Sequence, residues 1–467
     1  MTHSRSMEPP AWKPIDAFFA RESESPLTDA FAGRRAVHPF VGMSPVPEQE
    51  WMSVWSEMTA GARSGKSVAY IHVPFCENHC LFCSFYQNAW HAPLGGRYVD
   101  VLVDHLRRDR DRPYQAVGSI HAVYFGGGTP TLLSAPDLAR AVEAVREHLP
   151  LAPDCEITLE GRAQDLTPDK ARAVFDAGVN RLSIGVQSFD DGVRRRLGRK
   201  TARADLIRRL EDLMAADRGA IVIDLIFGLP GQSLAVWESD VRTALGMGLD
   251  GADLYALKLM PQTPLGSATR AGKLDPAPVE SHGMYYARGA ELMAEARWKS
   301  LSSSHWRSGT RERNLYNLEL KAGANCLAFG AGAGGFLAGC SYRTLADLTE
   351  YADCVRQDRP LLGGLMRQSP HHRLFNFIKG SLERGRLDRS ALAERLGTAT
   401  GLDLDRIAGP LFAQWEQAGL IAIDGRWLDL TLAGRFWQVT LTQSLLEWLE
   451  QCIRKNHAPA DQPAALA

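Results

Sequence analysis

From about residue 65 the chain alternates between short runs dense in aliphatic and β-branched residues and longer stretches with helical spacing. The runs are AYIHV, HAVYFG, EITLE, RLSIGV, AIVIDLIFG and DLYALKL. Their composition and their bounding Gly, Pro and Asp residues predict strands. The stretches between them carry helix ends. In SAPDLARAVEAVREHL and LTPDKARAVFDAGVN, Ser134 or Thr167 is placed to cap, a proline sits in the first turn, and Gly178 can stop the second helix. Strand alternating with helix predicts a parallel sheet with right-handed crossovers. Six such units predict an α/β fold that is an open, partial (β/α)6 version of the TIM barrel. Chemistry on that fold gathers at the C-terminal ends of the strands.

After about residue 345 the alternation stops. HHRLFNFIKGSLERGRLDRSALAERLG and GPLFAQWEQAGLIAIDGRWLDLTLAGRFW read as helices followed by a hairpin turning at Asp424-Gly425, the pattern of a small winged-helix-like domain. Its core is expected to contain Trp415, Trp427, Trp437 and Trp448. Ahead of the regular region, PVPEQEWMSVWSEM offers one short amphipathic helix. The expected organisation is an N-terminal extension over 1–64, the partial barrel over 65–345, a mostly helical winged-helix-like domain over 346–455 and a disordered tail over 456–467. GANCLAFGAGAGGFLAGCSY, residues 323–342, lacks charge, but six glycines and an Asn make it a poor membrane span, and it reads as a glycine-rich loop.

Composition adds limits. Net charge is −1, so nothing in the whole chain calls for nucleic acid or an acidic membrane surface as a partner. The local basic run RRRLGRK at 194–200 reads as a solvated helix end. The start, MTHSRSMEPPAWKPID, has no apolar core of the kind found in a secretory signal, which makes the cytoplasm the expected location. Eight cysteines in a long cytoplasmic chain speak against a disulfide framework. Five of them, Cys155, Cys326, Cys340, Cys354 and Cys452, are scattered and read as small buried apolar residues.

The other three are clustered. YIHVPFCENHCLFCSFYQN, residues 70–88, puts Cys76, Cys80 and Cys83 directly after the first predicted strand. Two kinds of site use such a triplet. Zinc would close its tetrahedron with a fourth ligand, His72 or His79. An iron–sulfur cube would take one iron per thiolate and leave the fourth open to the amino and carboxylate groups of S-adenosylmethionine (SAM). Spacing alone leaves both open, while a position at a strand end that a barrel would use for a cofactor favours the cube.

Further motifs fall at the ends of later strands. FGGGTPT spans 125–131, Glu160 ends EITLE, Gln187 follows RLSIGV, Arg199 sits in LGRK and Asp224 lies in VIDLIFGLPGQ. With these, the chain resembles the radical SAM superfamily over residues 65 to about 440, in the branch of oxygen-independent coproporphyrinogen III dehydrogenase and the haem chaperones. The resemblance implies a [4Fe-4S] cluster on Cys76, Cys80 and Cys83. It implies SAM contacts from Tyr70, Phe82, Gly127, Gly128, Thr129, Glu160, Gln187, Arg199 and Asp224. The residue types suit that task. Glycines let the backbone approach a ligand, carboxylates suit ribose hydroxyls and an ammonium, a guanidinium suits a carboxylate, and Phe82 can pack near adenine.

Coproporphyrinogen dehydrogenases carry a further cysteine two residues past the triplet, where this chain has Phe85. CSFYQN at 83–88, SSSHWRSGTRERNLYN at 302–317 and LAFGAGAGG at 327–335 look instead like the ChuW/HutW group of anaerobic haem-degrading enzymes. That likeness implies a class C radical SAM methyltransferase using two SAM molecules. The first gives a 5'-deoxyadenosyl radical that takes hydrogen from the methyl group of the second. The methylene radical then adds to haem, opening the ring and freeing iron and a methylated linear tetrapyrrole. A flavodoxin-like or NAD(P)H-linked reductase is the implied electron donor. His305 and Trp306 lie where haem chaperones carry a His-containing motif, and with Arg307 they are the candidate haem contacts. Arg311 and Arg313 are further possible partners for the propionates. The competing readings are a haem-binding chaperone on the same fold, an oxygen-independent coproporphyrinogen III decarboxylase, and DNA binding through the winged-helix-like domain, which shows no basic recognition helix.

Overall fold

The computed structural model describes residues 12–35, 42–85, 87–273 and 277–457. Residues 1–11 of the opening stretch on which the expectation of no signal rests, and the expected disordered tail from 458 onward, lie outside the described residues, while residues 456 and 457 of that tail close the helix Gln438–His457. The chain divides into two units, one spanning Met43–Arg384 and the other joining residues up to Gly42 with those from Gly385 onward. Among the described residues no helix is long and apolar enough to cross a membrane.

In the larger unit all six predicted runs are strands: β1 (Ser67–Val73), β2 (Ile120–Gly127), β3 (Leu151–Gly161), β4 (Arg181–Gln187), β5 (Ala220–Phe227) and β6 (Gly251–Ala256). They pair in that order and every pair is parallel. The connecting helices include α1 (Ala92–Asp109), α2 (Ala135–His148), α3 (Pro168–Ala177), α4 (Arg203–Ala215) and α5 (Leu234–Gly246). Local chemistry sets their ends. Ser134 accepts from Asp137 N at 3.2 Å, Thr167 accepts from Lys170 N at 3.3 Å, and Gly178 at φ +122° stops α3.

The strands alternate. In β4 Leu182, Ile184 and Val186 are fully buried among apolar neighbours, while Arg181, Ser183, Gly185 and Gln187 line a cavity on the other face. The sheet continues past both ends of the six. Strand β7 (His305–Arg307) runs antiparallel beside β6, and β8 (Asn325–Phe329) runs parallel beside β1. Beyond β8 come β9 (Gly334–Leu337), β10 (Cys340–Thr344) and β11 (Leu362–Arg367), all antiparallel.

Four expectations change. Residues 323–342 are not a loop but most of three strands, β8 to β10; Gly330, Gly332 and Gly339 serve the turns, all at positive φ, while Gly334 and Gly335 lie in β9, and Thr344 Oγ1 ties the first turn by donating to Gly330 O at 2.6 Å. The basic run at 194–200 is not simply solvated, because Arg194 is buried and donates to the carbonyls of Val186, Ser188 and Thr201 at 2.9 to 3.1 Å. The domain boundary expected at 346 falls at Gly385, since β11 and the helix His372–Glu383 belong to the larger unit. The extension expected over 1–64 is divided, with the helix Trp51–Thr59 in the larger unit and residues 12–35 in the smaller.

The smaller unit has the expected hairpin, Ile421–Asp424 with Trp427–Leu430, joined by Arg386–Asp388 as a third strand and packed with the helices Arg389–Thr400, Leu404–Gln417 and Gln438–His457. Trp415, Trp437 and Trp448 are buried. Trp427 is not, at 36% exposed, and its ring lies under Arg386 and Arg426. The five scattered cysteines are all free and buried.

Candidate active site

The cysteine loop leaves the C-terminal end of β1. Phe75–Cys76 pairs with Asn88–Ala89, and Trp90 N donates to Cys76 O at 2.9 Å, closing the base of the loop. Cys83 N donates to Cys80 O at 3.0 Å in a turn. Thr129 Oγ1 lies 3.8 Å from Cys76 Sγ, and Phe85 N donates to Cys83 Sγ at 3.3 Å. Burial raises the Cys76 thiol, a cost that bonding to a metal offsets. The glycine run after β2 lies against this loop. A Cβ on Gly128 would collide with the Phe75 backbone and one on Gly127, at φ +113°, with the His72 ring, so only glycine permits the approach.

The three thiols share one cavity of about 470 Å³ with Phe82, Gly127, Gly128, Thr129, Glu160, Gln187, Arg199 and Asp224. Two observations fit a cube with an adenosyl ligand better than one closed zinc ion. The two histidines are engaged elsewhere than a fourth ligand needs: His79 Nε2 lies 3.1 Å from the Cys83 carbonyl, while His72 meets Tyr70 OH at 3.0 Å and Gln87 Oε1 at 3.3 Å and is held by burial at about 4. Polar atoms also wait in the wall. Gln187 Oε1 and Arg199 Nε are buried without a hydrogen-bond partner among the described residues, which is costly unless a ligand meets them. Gln187 holds φ +71° at the end of β4, and Arg199 reaches back to Gly185 O at 3.3 Å. Phe82 packs with Val193, Leu197 and Leu229 as an apolar wall.

The acids of the cavity are strongly perturbed. Burial carries Glu160 up to about 7, opposed by a hydrogen bond from Tyr124. Burial, then Asp253 and Glu160, push Asp224 well above the carboxylate range.

Four of the expected site residues do not line the cavity. Tyr70 stands behind it, bonded to His72 and stacked 6.5 Å from Tyr124. His305 is fully buried and absent from the cavity lining, with Nδ1 2.9 Å from Asp253 Oδ2 and Nε2 in a charge contact 3.1 Å from Glu312 Oε1 that lacks hydrogen-bond geometry. Trp306, on the other face of β7, packs against Tyr286, and Arg307 donates to Glu312 O at 3.3 Å. Nor do Arg311 and Arg313 reach the cavity; they pair with Asp217 and Asp154.

Residues that the sequence reading passed over take part in the wall: Tyr124, Arg162, Ser183, Asp253, Tyr255 and Asn317. A signal existed for some of them. Tyr124 and Asp253 are polar residues inside otherwise apolar strands, the places where a barrel interior shows.

The family profile described as the radical SAM superfamily matches residues 70–244. The chain belongs to this superfamily, whose cofactors are a [4Fe-4S] cluster and SAM, and to its coproporphyrinogen-oxidase-like branch. Within it, the chain is 41% identical over 440 residues to anaerobilin synthase of Escherichia coli O157:H7, covering 92% of this chain and 95% of that protein. Heme chaperone HemW of Lactococcus lactis subsp. lactis is 30% identical over 285 residues, 61% of this chain and 73% of its own. The solved coproporphyrinogen III oxidase (HemN) of Escherichia coli shares the fold, with a TM-score of 0.72 at 20% identity over 88% of this chain and 96% of that one.

Proposed function

We propose that this protein degrades haem without oxygen as a radical SAM methyltransferase, opening the macrocycle to a linear tetrapyrrole and releasing iron. The observation that carries this reading is the likeness to anaerobilin synthase at 41% identity along 92% of the chain. Cys76, Cys80 and Cys83 would hold the cluster, and the cluster with SAM supplies a carbon radical. The remaining work belongs to the chain. Gly127, Gly128 and Thr129 bring backbone against the cofactor loop, and Gln187 and Arg199 offer polar atoms to the amino-acid end. Glu160 and Asp224 face the ribose or a cationic centre, and Phe82 walls the purine. Strands and helices around the cavity exclude water and hold reacting atoms in place. Phe85, 70% exposed, and Tyr255, also exposed, both line the cavity and offer aromatic surface suited to a flat macrocycle. A flavodoxin-like or NAD(P)H-linked reductase in the cytoplasm would deliver the electron.

A haem chaperone is the second reading, favoured by the likeness to HemW. One anaerobic assay separates the two. Reconstituted protein is mixed with SAM, a low-potential reductant and haem, and haem absorbance and 5'-deoxyadenosine are followed. Haem loss coupled to nucleoside release is expected. A persistent haem spectrum with SAM untouched would replace the enzyme with the chaperone.

A further inference from the structure

Strand register sets a row of charge along the cavity. Gly185, Asp224, Asp253 and His305 are neighbours in register across β4, β5, β6 and β7. Adjacent strands lie about 4.8 Å apart and residues in register share a face, so the two aspartates stand side by side. His305 joins Asp253 to Glu312, and Glu312 accepts from Arg181 Nε at 2.9 Å. None of Asp253, His305, Glu312 and Arg181 is more than 4% exposed. Two acids and two bases leave this row neutral in itself.

Nothing of that charge is left over for the other cavity acids. Glu160 and Asp224 have no ion-pair partner among the described residues. Glu160 meets Tyr124 from β2. Asp224 faces Tyr124, Glu160 and Asp253, with Arg181 and His305 engaged beyond them and Tyr255 bonded toward Asp253. The other cations of the wall are Arg162, committed to Asp165 and Glu77, and Arg199, which donates to Gly185 O. Two unpaired carboxyls in such a place keep protons, as their raised titration indicates. The same wall carries the unpartnered Gln187 Oε1, an acceptor suited to a cationic ligand, on a side chain only 6% exposed.

We propose that Glu160 and Asp224 make the adenosyl pocket a cation-for-proton exchanger: a sulfonium entering expels a proton to solvent, while a neutral thioether of the same shape does not. This rests on the SAM-binding role proposed above and adds a means of discriminating SAM from the neutral thioether S-adenosylhomocysteine, which methyl transfer from the second SAM leaves in solution. Charge is conserved within the pocket, one positive charge entering and one leaving. The thioether lacks that exchange and is held less tightly as pH rises relative to the sulfonium. His305 is a positioning residue here, keeping Asp253 matched with a cation so that only two acids exchange.

Anaerobic titration calorimetry tests this on the oxidised, cluster-loaded protein without reductant, where no turnover occurs. Measurement in buffers of different ionisation enthalpy counts protons released by SAM and by S-adenosylhomocysteine. Any proton lost from the amino-acid end is common to both ligands and cancels in the difference. SAM should release roughly half to one proton more than the thioether at pH 7, and its relative affinity should rise about three- to tenfold from pH 6 to 7. Glu160→Gln and Asp224→Asn should each shrink the difference by about half, and His305→Gln should enlarge it by leaving Asp253 without its cation. Equal proton counts for the two ligands, with both bound, overturn the exchange and leave the proposed function standing. Failure of SAM to bind overturns the SAM site itself and the exchange with it.

Discussion

Cys80 is half exposed on the cofactor loop, and none of the other five cysteines lines the cavity to replace it. A cube missing one thiolate loses one of its three protein anchors. Cys80→Ala should therefore abolish haem loss and lower iron and sulfide per chain after anaerobic reconstitution, both read by direct analysis, with far-UV circular dichroism unchanged. Glu160 lends itself to a different measurement. Burial raises its carboxyl from 4.5 to about 7, so between those values the folded chain holds a proton that the unfolded chain has released. The linked stability is present in full below 4.5 and is lost as pH rises through about 7. That amounts to about 3 kcal/mol. In the ligand-free protein, Glu160→Gln should flatten the fall of Tm across this window, and thermal melts from pH 5 to 8 would show it. An unchanged slope would mean that Glu160 does not hold its proton.

At the scale of elements, the cofactor loop and the glycine run after β2 are one packed object. A Cβ at Gly128 would fall on the Phe75 backbone, which has no flexible end to move aside. Gly128→Ala should cost about 1–3 kcal/mol through forced displacement and reduce cluster loading several-fold, whereas Gly61→Ala, with nothing within 4 Å, should do neither. Denaturant melts and iron content report the two effects. The six strands and the helix caps at Ser134 and Thr167 were legible because their signals are local: an apolar run, or an oxygen three residues ahead of a backbone N–H. The stretch at 323–342 misled because glycine frequency marks loops on average, while here Gly330, Gly332 and Gly339 form turns, and Gly334 and Gly335 pair within β9, among strands whose partners include the distant β1 and β11. His305 misled for a related reason. Its partner Asp253 lies 52 residues away, and only the pairing of β6 with β7 decides that the imidazole faces acids instead of a ligand.

At the scale of the whole molecule, the smaller unit is made from both ends of the sequence, which no local pattern announces. Phe18 is buried there, its carbonyl accepts from Trp415 Nε1 at 3.1 Å, and Ala20 exchanges two hydrogen bonds with the Gln414 amide at 2.7 and 2.8 Å. Trp437 Nε1 donates to Pro26 O at 2.9 Å. Removing residues 1–24 would delete a buried aromatic and strip Trp415 and Gln414 of partners inside this unit. Losses of that kind run to about 3–5 kcal/mol for the ring and about 1 kcal/mol for each hydrogen bond left unmade. A unit of this size has roughly 5–15 kcal/mol to lose, so its helices Arg389–Thr400 and Leu404–Gln417 should open far more often. Limited proteolysis of the truncated protein should then cut first between 385 and 457, while the cysteine loop, whose backbone bonds, including those to Thr129 and Leu265, all lie within the larger unit, still accepts iron. Cleavage that begins instead within 67–256, or loss of iron binding on truncation, would show that the barrel depends on this segment and that the two-unit division does not describe how the chain unfolds.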